Sequence, residues 1–267
     1  MPTLSATATV TIEEPEPGGP PAVAPEPRYR WLWEAILILT GYALYEMVRS
    51  KVAGNPIAAY HHGLQIVHAE RLLHIYWERP IQHAFIGDVR FLQFWDIYYG
   101  TVHFVMPVIA LAWLFHACPP RYRRWRNALV WLTLISIAGF ALYPLMPPRL
   151  MPASYAFVDT AARFGGLGVL DKGSMKDVEN LYAAMPSLHL AWSTWSALAL
   201  FGAVRRPWVK ALVLLDPLLT TFAVVVTANH WILDCVAGLL VLGLGHALAR
   251  GIDAGAAWVR RPRRLPR

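Results

Sequence analysis

FLQFWDIYYGTVHFVMPVIALAWLFHAC, Phe91 to Cys118, runs for 28 residues with one acidic side chain, Asp96, and neither Lys nor Arg. A helix crosses the bilayer core with about 20 apolar residues, so the run reads as a membrane span. Working outward, five more runs have the same character: Trp31 to Val48, Asn127 to Tyr143, Ser187 to Val204, Trp208 to Thr227 and His230 to Leu248. The whole chain agrees: of 267 residues 56% are hydrophobic and only 15% charged, too apolar for a soluble domain of this length. The expected fold is all-α, a polytopic bundle of six transmembrane helices, with one six-span membrane domain over residues 28–250.

Charge sets the expected orientation. The net charge of +7 could suggest nucleic acid, but the basic residues cluster between spans, which argues against that partner. Arg121, Arg123, Arg124 and Arg126 follow the second run; Arg205, Arg206 and Lys210 follow the fourth; Arg260, Arg261, Arg263, Arg264 and Arg267 follow the sixth. With six spans these clusters share one side, and the positive-inside rule makes it cytoplasmic. Both termini are then inside, in a multi-pass protein of the plasma membrane. Residues 1–27, rich in Pro, Glu, Thr and Ala, read as a disordered tail rather than a cleaved signal, and 251–267 as a basic tail. Cys118 and Cys235 fall near opposite ends of their spans, too far apart to pair.

Two long connections lie outside on this topology. Ile57 to Phe85 mixes Ile66, Leu72, Leu73, Ile75 and Trp77 with His61, His62, His68, Glu70, Arg71, His74 and Glu78, and reads as an amphipathic interfacial helix. Spacings of six among His62, His68 and His74 put them on different faces, so they are read as interfacial polar residues and not as a metal site. The other connection, Pro144 to Met185, opens with a run whose prolines cannot continue the third helix, and Gly165, Gly166 and Gly168 mark a flexible segment.

Three polar clusters meet the outer face. Arg149 follows the third span between prolines; its planar fork suits phosphate or carboxylate, though a lone Arg at that depth is also a headgroup anchor. Ser187 and His189 open the fourth span. His230 and Asp234 open the sixth, four apart, so that the carboxylate can hold one ring nitrogen and turn the other outward. A satisfied polar pair is the plain alternative. Against it stands the cost of ionisable groups near lipid, roughly 2.5–3.5 kcal/mol at a span's centre and less at its ends.

Pro186-Ser187-Leu188-His189 and His230-Trp231-Ile232-Leu233-Asp234 resemble the second and third motifs of the type-2 phosphatidic acid phosphatase (lipid phosphate phosphatase) superfamily. PPRL, Pro147 to Leu150, looks like the first motif as it stands in the branch of the inositol-phosphorylceramide synthases, and TANH, Thr227 to His230, resembles that branch too. The likeness runs from about Trp31 to Leu248. It departs at Leu142, where many members carry Lys, and at Ala223 and Val224, where they carry Ser-Arg.

The resemblance implies a phosphatase or phosphotransferase for lipid phosphates or diphosphates, with water or an alcohol such as a polyol as acceptor, and with no metal and no cofactor. It implies that His230 attacks phosphorus, Asp234 fixes its tautomer, His189 protonates the leaving oxygen, and Arg149 and Ser187 bind phosphoryl oxygens. Asp96, Tyr99 and His103 share one face of the second span, and the branch has a similar Tyr-x-x-x-His; these three, with Thr227 and Asn229, are substrate-contact candidates. For Asp96 a helix-packing hydrogen bond serves equally well. The competing class is a non-catalytic transporter or scaffold whose polar residues line a cavity. One geometric condition follows: residues two apart on a helix point to different sides, so Ser187 can serve the same phosphate as His189 only if the helix starts after Ser187.

Overall fold

The computed structural model describes residues 30–51, 55–165 and 181–259. The tail assigned to 1–27, Gly166, Gly168 and the basic cluster from Arg260 onward lie outside the described residues. By compactness the chain divides into Met1–Thr40 and Gly41–Arg267. The described part of the first unit is the beginning of helix α1 (Arg30–Lys51), whose Trp33 and Leu39 are exposed.

The second unit is helical, and proline and cap chemistry set its boundaries. Helix α2 (Pro56–Leu72) starts with Pro at its first position, and the Asn55 side chain accepts from Ile57 N–H (2.9 Å). After a turn in which His74 adopts a left-handed backbone, α3 (Glu78–Phe85) follows. The connection is therefore two helices rather than one. Ala59, Gly63, Ile66, Val67 and Glu70 form the buried stripe of α2.

Helix α4 (Val89–Ala117) is capped by Asp88, and Cys118 alone separates it from α5 (Pro119–Leu142). The arginines from 121 to 126 accordingly sit in the first turns of α5 rather than in a loop. Then come a 3-10 turn at Pro148–Leu150, the short α6 (Thr160–Phe164), α7 (Leu188–Phe201), α8 (Pro207–Val226) and α9 (Ile232–Val259), which runs past the expected boundary at 250. Cys118 and Cys235 are free thiols.

Four of these are long and apolar enough to cross a membrane: Val89–Ala117, Pro119–Leu142, Pro207–Val226 and Ile232–Gly255. Helix α7, at 14 residues, is shorter than a full span, and α1 contributes a shorter apolar stretch at Trp31–Ala43. Outward faces are apolar, as at Val108, Leu218 and Leu240. Pro107 and Pro217 lie within α4 and α8, where each lacks the N–H that would bond the carbonyl four residues earlier, a loss that membrane helices tolerate when packed against neighbours. α5 packs closely on α9: a side chain at Gly245 would meet Leu132 N at 2.8 Å.

Candidate active site

The loop after α8 is shaped by the helix's own ending. Asn229 N–H donates to Val224 O (2.9 Å) and Ala228 N–H to Val225 O (3.0 Å), the double bond pattern of a helix C-terminus closed by a left-handed residue. That residue is Ala228, φ 56°, where Gly is usual. The reversal brings His230 round to face α7. Thr227 Oγ1 donates to Ala223 O (2.6 Å) and accepts from Asn229 Nδ2 (2.8 Å), so these two contact candidates brace the loop.

His230 is 3% exposed, and its Nδ1–H donates to Asp234 Oδ2 (3.3 Å). The same oxygen accepts from Trp231 N–H (3.0 Å), which fixes the carboxylate as well as the ring. With Nδ1 the donor, Nε2 carries the lone pair. His189 Nδ1 lies 3.2 Å from that nitrogen and supplies the proton of the bond. The Tyr99 ring stacks on His189 at 4.2 Å, and His103 lies against it at 3.9 Å with its Nδ1–H given to Tyr99 O (2.6 Å). Tyr99 and His103 thus meet the histidine pair.

Ser187 precedes α7 in extended conformation, and its hydroxyl caps the helix at Leu190 N–H (3.5 Å). The helix starts at Leu188, so the geometric condition on Ser187 and His189 is met. Ser187 N–H donates to Asp234 O (3.0 Å), and Gly238, one turn beyond Asp234 on α9, lies so close to Ser187 O that a Cβ there would collide with it. Two motifs distant in sequence are stitched together by backbone.

Arg149 reaches the same loop through its N–H, which donates to Ala228 O (2.9 Å). Its guanidinium pairs with Asp159 (Nη1 to Oδ2, 2.9 Å), while Nε is buried without an acceptor among the described residues. Asp159 also caps α6 at Ala162 N–H (3.0 Å), and the next residue, Thr160, donates to Asp96 Oδ1 (2.9 Å). Asp96 therefore ties α4 to the Asp159 segment. Gln82 holds Val158 at both its N–H (3.0 Å) and its O (2.8 Å), anchoring that segment to α3.

The positions that depart from the family pattern do not supply cations: Leu142 is largely exposed, and Ala223 and Val224 are fully buried. His62 gives its Nδ1–H to Pro144 O (2.7 Å), and among the described residues no three His, Cys, Asp or Glu side chains are grouped to hold a metal ion.

Three acidic residues near the site were not distinguished by sequence. Asp159 carries no motif signal. Glu70 and Glu78, read as interfacial polar residues, are fully buried, and their Oε1 atoms accept from Leu233 N–H (2.9 Å) and Ile232 N–H (2.7 Å) at the start of α9.

A sequence model of the PAP2 superfamily matches residues 64–248. Neither a curated protein nor a solved structure matches the chain.

Proposed function

The chain belongs to the PAP2 superfamily, and on that premise we propose that it transfers the phosphoryl group of a membrane lipid phosphate or diphosphate through a phosphohistidine on His230. The observation that carries the reading is the relay of Asp234, His230 and His189, bonded in series at 3.3 and 3.2 Å. In this mechanism His230 Nε2 forms the bond to phosphorus as the bond to the leaving oxygen breaks, and His189 gives that oxygen its proton. Water or an alcohol then attacks the phosphohistidine, His189 takes the acceptor's proton, and the P–N bond breaks. Arg149 and the Ser187 hydroxyl hold the equatorial oxygens, where charge accumulates. Tyr99 and His103, packed on His189, border the leaving group.

The relay also defines a motion. Attack needs nitrogen about 3–3.5 Å from phosphorus, and a proton donor needs about 2.7–3.2 Å to the leaving oxygen. Both cannot fit between nitrogens that touch, so substrate entry must part the imidazoles by roughly the width of a phosphoryl group. Membrane placement follows the charge pattern: six spans, counting α1 and α7, both termini cytoplasmic, and the site at the outer face of the plasma membrane with α2 and α3 beside it.

Purified protein in detergent, offered a panel of lipid phosphates and diphosphates, is expected to turn over at least one, and His230→Ala to abolish it. No turnover by wild type, or unchanged turnover by the variant, overturns the enzyme reading in favour of transport or scaffolding. Added inositol or glycerol separates transfer, which yields a phosphorylated acceptor, from hydrolysis, which yields free phosphate. Because the two histidines need opposite protonation states, the rate should be bell-shaped in pH.

A further inference from the structure

Helix α9 starts with only half a cap of its own: Asp234, its third residue, folds back to accept from Trp231 N–H (3.0 Å), and the N–H groups of Ile232 and Leu233 look elsewhere. The first N–H groups of a helix need acceptors from outside it. Trp231, just before the helix, has no acceptor side chain for them, and the Asp234 oxygen that folds back also holds His230. The acceptor side chain that would complete the cap is missing at Trp231. Its place is taken from 154 and 163 residues away: Glu78 receives Ile232 N–H and Glu70 receives Leu233 N–H.

Both glutamates are 0% exposed, and two ionised carboxylates side by side in such surroundings are prohibitive. The Oε2 atoms of both are buried without another donor among the described residues, and the two side chains are within hydrogen-bonding reach of each other. One shared proton satisfies both. Burial, and then the charge of Glu78, push Glu70 up to about 9, so the proton stays there at neutral pH. The remaining negative charge faces the positive end of the α9 dipole.

We propose that Glu70 and Glu78 form a proton-sharing carboxyl pair that substitutes for the N-cap of α9 and, by fixing the amides of Ile232 and Leu233, positions His230 and Asp234 against His189. They act through the first turn of α9 and are positioning residues, not catalytic ones. The proposal rests on His230 as the nucleophile. Misplacement of a reacting group by about 1 Å costs on the order of 100-fold in rate, so loss of these acceptors acts on kcat more than on KM.

The test compares Ala, Asp and Gln at each position in the full-length protein. Ala removes the acceptor, Asp keeps the acid but falls one methylene short, and Gln keeps both reach and acceptor. Ala and Asp are expected to lower kcat by about 10- to 100-fold with KM within about threefold, while Gln recovers most of that loss. Wild-type rates in the Ala variants, Gln variants as slow as Ala, or a loss confined to KM would overturn it. His230→Ala runs in parallel: if wild type shows no turnover dependent on His230, the functional reading fails instead. Infrared spectra test the pair without any assay. Wild type at pH 7 should show a protonated-carboxyl C=O band that Glu70→Gln removes, and a spectrum unchanged by that substitution refutes the shared proton even where the Ala variants do not fold.

Discussion

Asp216 and Asp234 are both buried carboxylates among apolar helices, yet their surroundings are opposite in kind. Asp216, on α8, accepts from Tyr98 OH (2.7 Å) on one oxygen and from Ser193 Oγ (2.7 Å) on the other, and Thr220 Oγ1 donates onward to Ser193 (3.2 Å). Hydroxyls from α4 and α7 give each of its oxygens a donor, and one from α8 extends the network. Around Asp234, Oδ1 has no donor among the described residues, and Nε of Arg149 in the first motif and Oδ2 of Asp96 on α4 are likewise buried without partners among them. A saturated network fastens helices, whereas one with unspent donors and acceptors holds stability in reserve for something that binds or reacts.

The same isosteric change at both sites would break this comparison most sharply. Asp234→Asn leaves His230 without a carboxylate to hold its tautomer and should lower kcat by about 10³- to 10⁴-fold. Asp216→Asn still offers partners to hydroxyls that can rotate, so kcat should stay within about twofold of wild type while the melting temperature falls by a few degrees. Turnover assays and thermal melts on the two purified variants decide it. Equal loss of activity at both would mean that saturation does not separate structure from site.

A smaller effect is expected at Asp159, which stands between the two kinds. It caps α6 and also engages Arg149, the one cation that the motifs bring to the loop. Asp159→Asn keeps the cap but releases the charge pairing, leaving the guanidinium better able to meet phosphate and less firmly aimed. A change in KM of about 10-fold with kcat within about threefold is expected, read from initial rates against substrate concentration. A change confined to kcat would place Asp159 in the chemical step.

Much of this was legible in the sequence, because the signals are local. Phe91 to Cys118 announces α4 by composition, and the condition that the helix start after Ser187, set for the case that it and His189 serve one phosphate, agrees with Ser187 as the residue before α7. Boundaries set by tertiary contact were not legible. Helix α5 starts at Pro119, eight residues before its apolar run, because arginines extend a helix beyond the apolar stretch as readily as they occupy a loop. The bond from Asn229 to Thr227 was not legible either, because a side-chain pairing across a helix end leaves no mark in the sequence. Glu70 and Glu78 lay in a polar-looking segment, and their burial depends on the start of α9, over 150 residues on.

Those glutamates also make stability depend on pH in a direction opposite to most acidic residues. Between its ordinary 4.5 and about 9, Glu70 holds a proton when folded that it has released when unfolded, so folding becomes less favourable as pH rises through that window. Glu78 and Asp234 are the acidic groups that raise it alongside burial, and Leu233 N–H pulls the other way. The wild-type melting temperature in detergent should therefore fall from pH 5 to pH 9 more steeply than that of Glu70→Gln. Parallel curves would remove the proton from Glu70.

The smallest effect is expected at Ala228, where the two motif backbones meet. Its φ of 56° costs a residue with a Cβ about 1–2 kcal/mol, and Gly removes that strain. Gly also adds roughly 0.5–1 kcal/mol of unfolded-chain entropy, and deleting a fully buried methyl loses about 0.8 kcal/mol of burial. The terms nearly cancel, so Ala228→Gly should move the melting temperature by no more than about 4 °C in either direction. Activity should stay within about threefold, because Arg149 N–H bonds the carbonyl of this residue and not its side chain. Ala228→Val is the counterpart, since a β-branched residue is a true outlier at positive φ and must turn the loop out of place. If Gly alone abolished turnover in a folded protein, the stiffness of the reversal, rather than the groups it presents, would be what separates the Asp234 cluster from the Asp216 cluster.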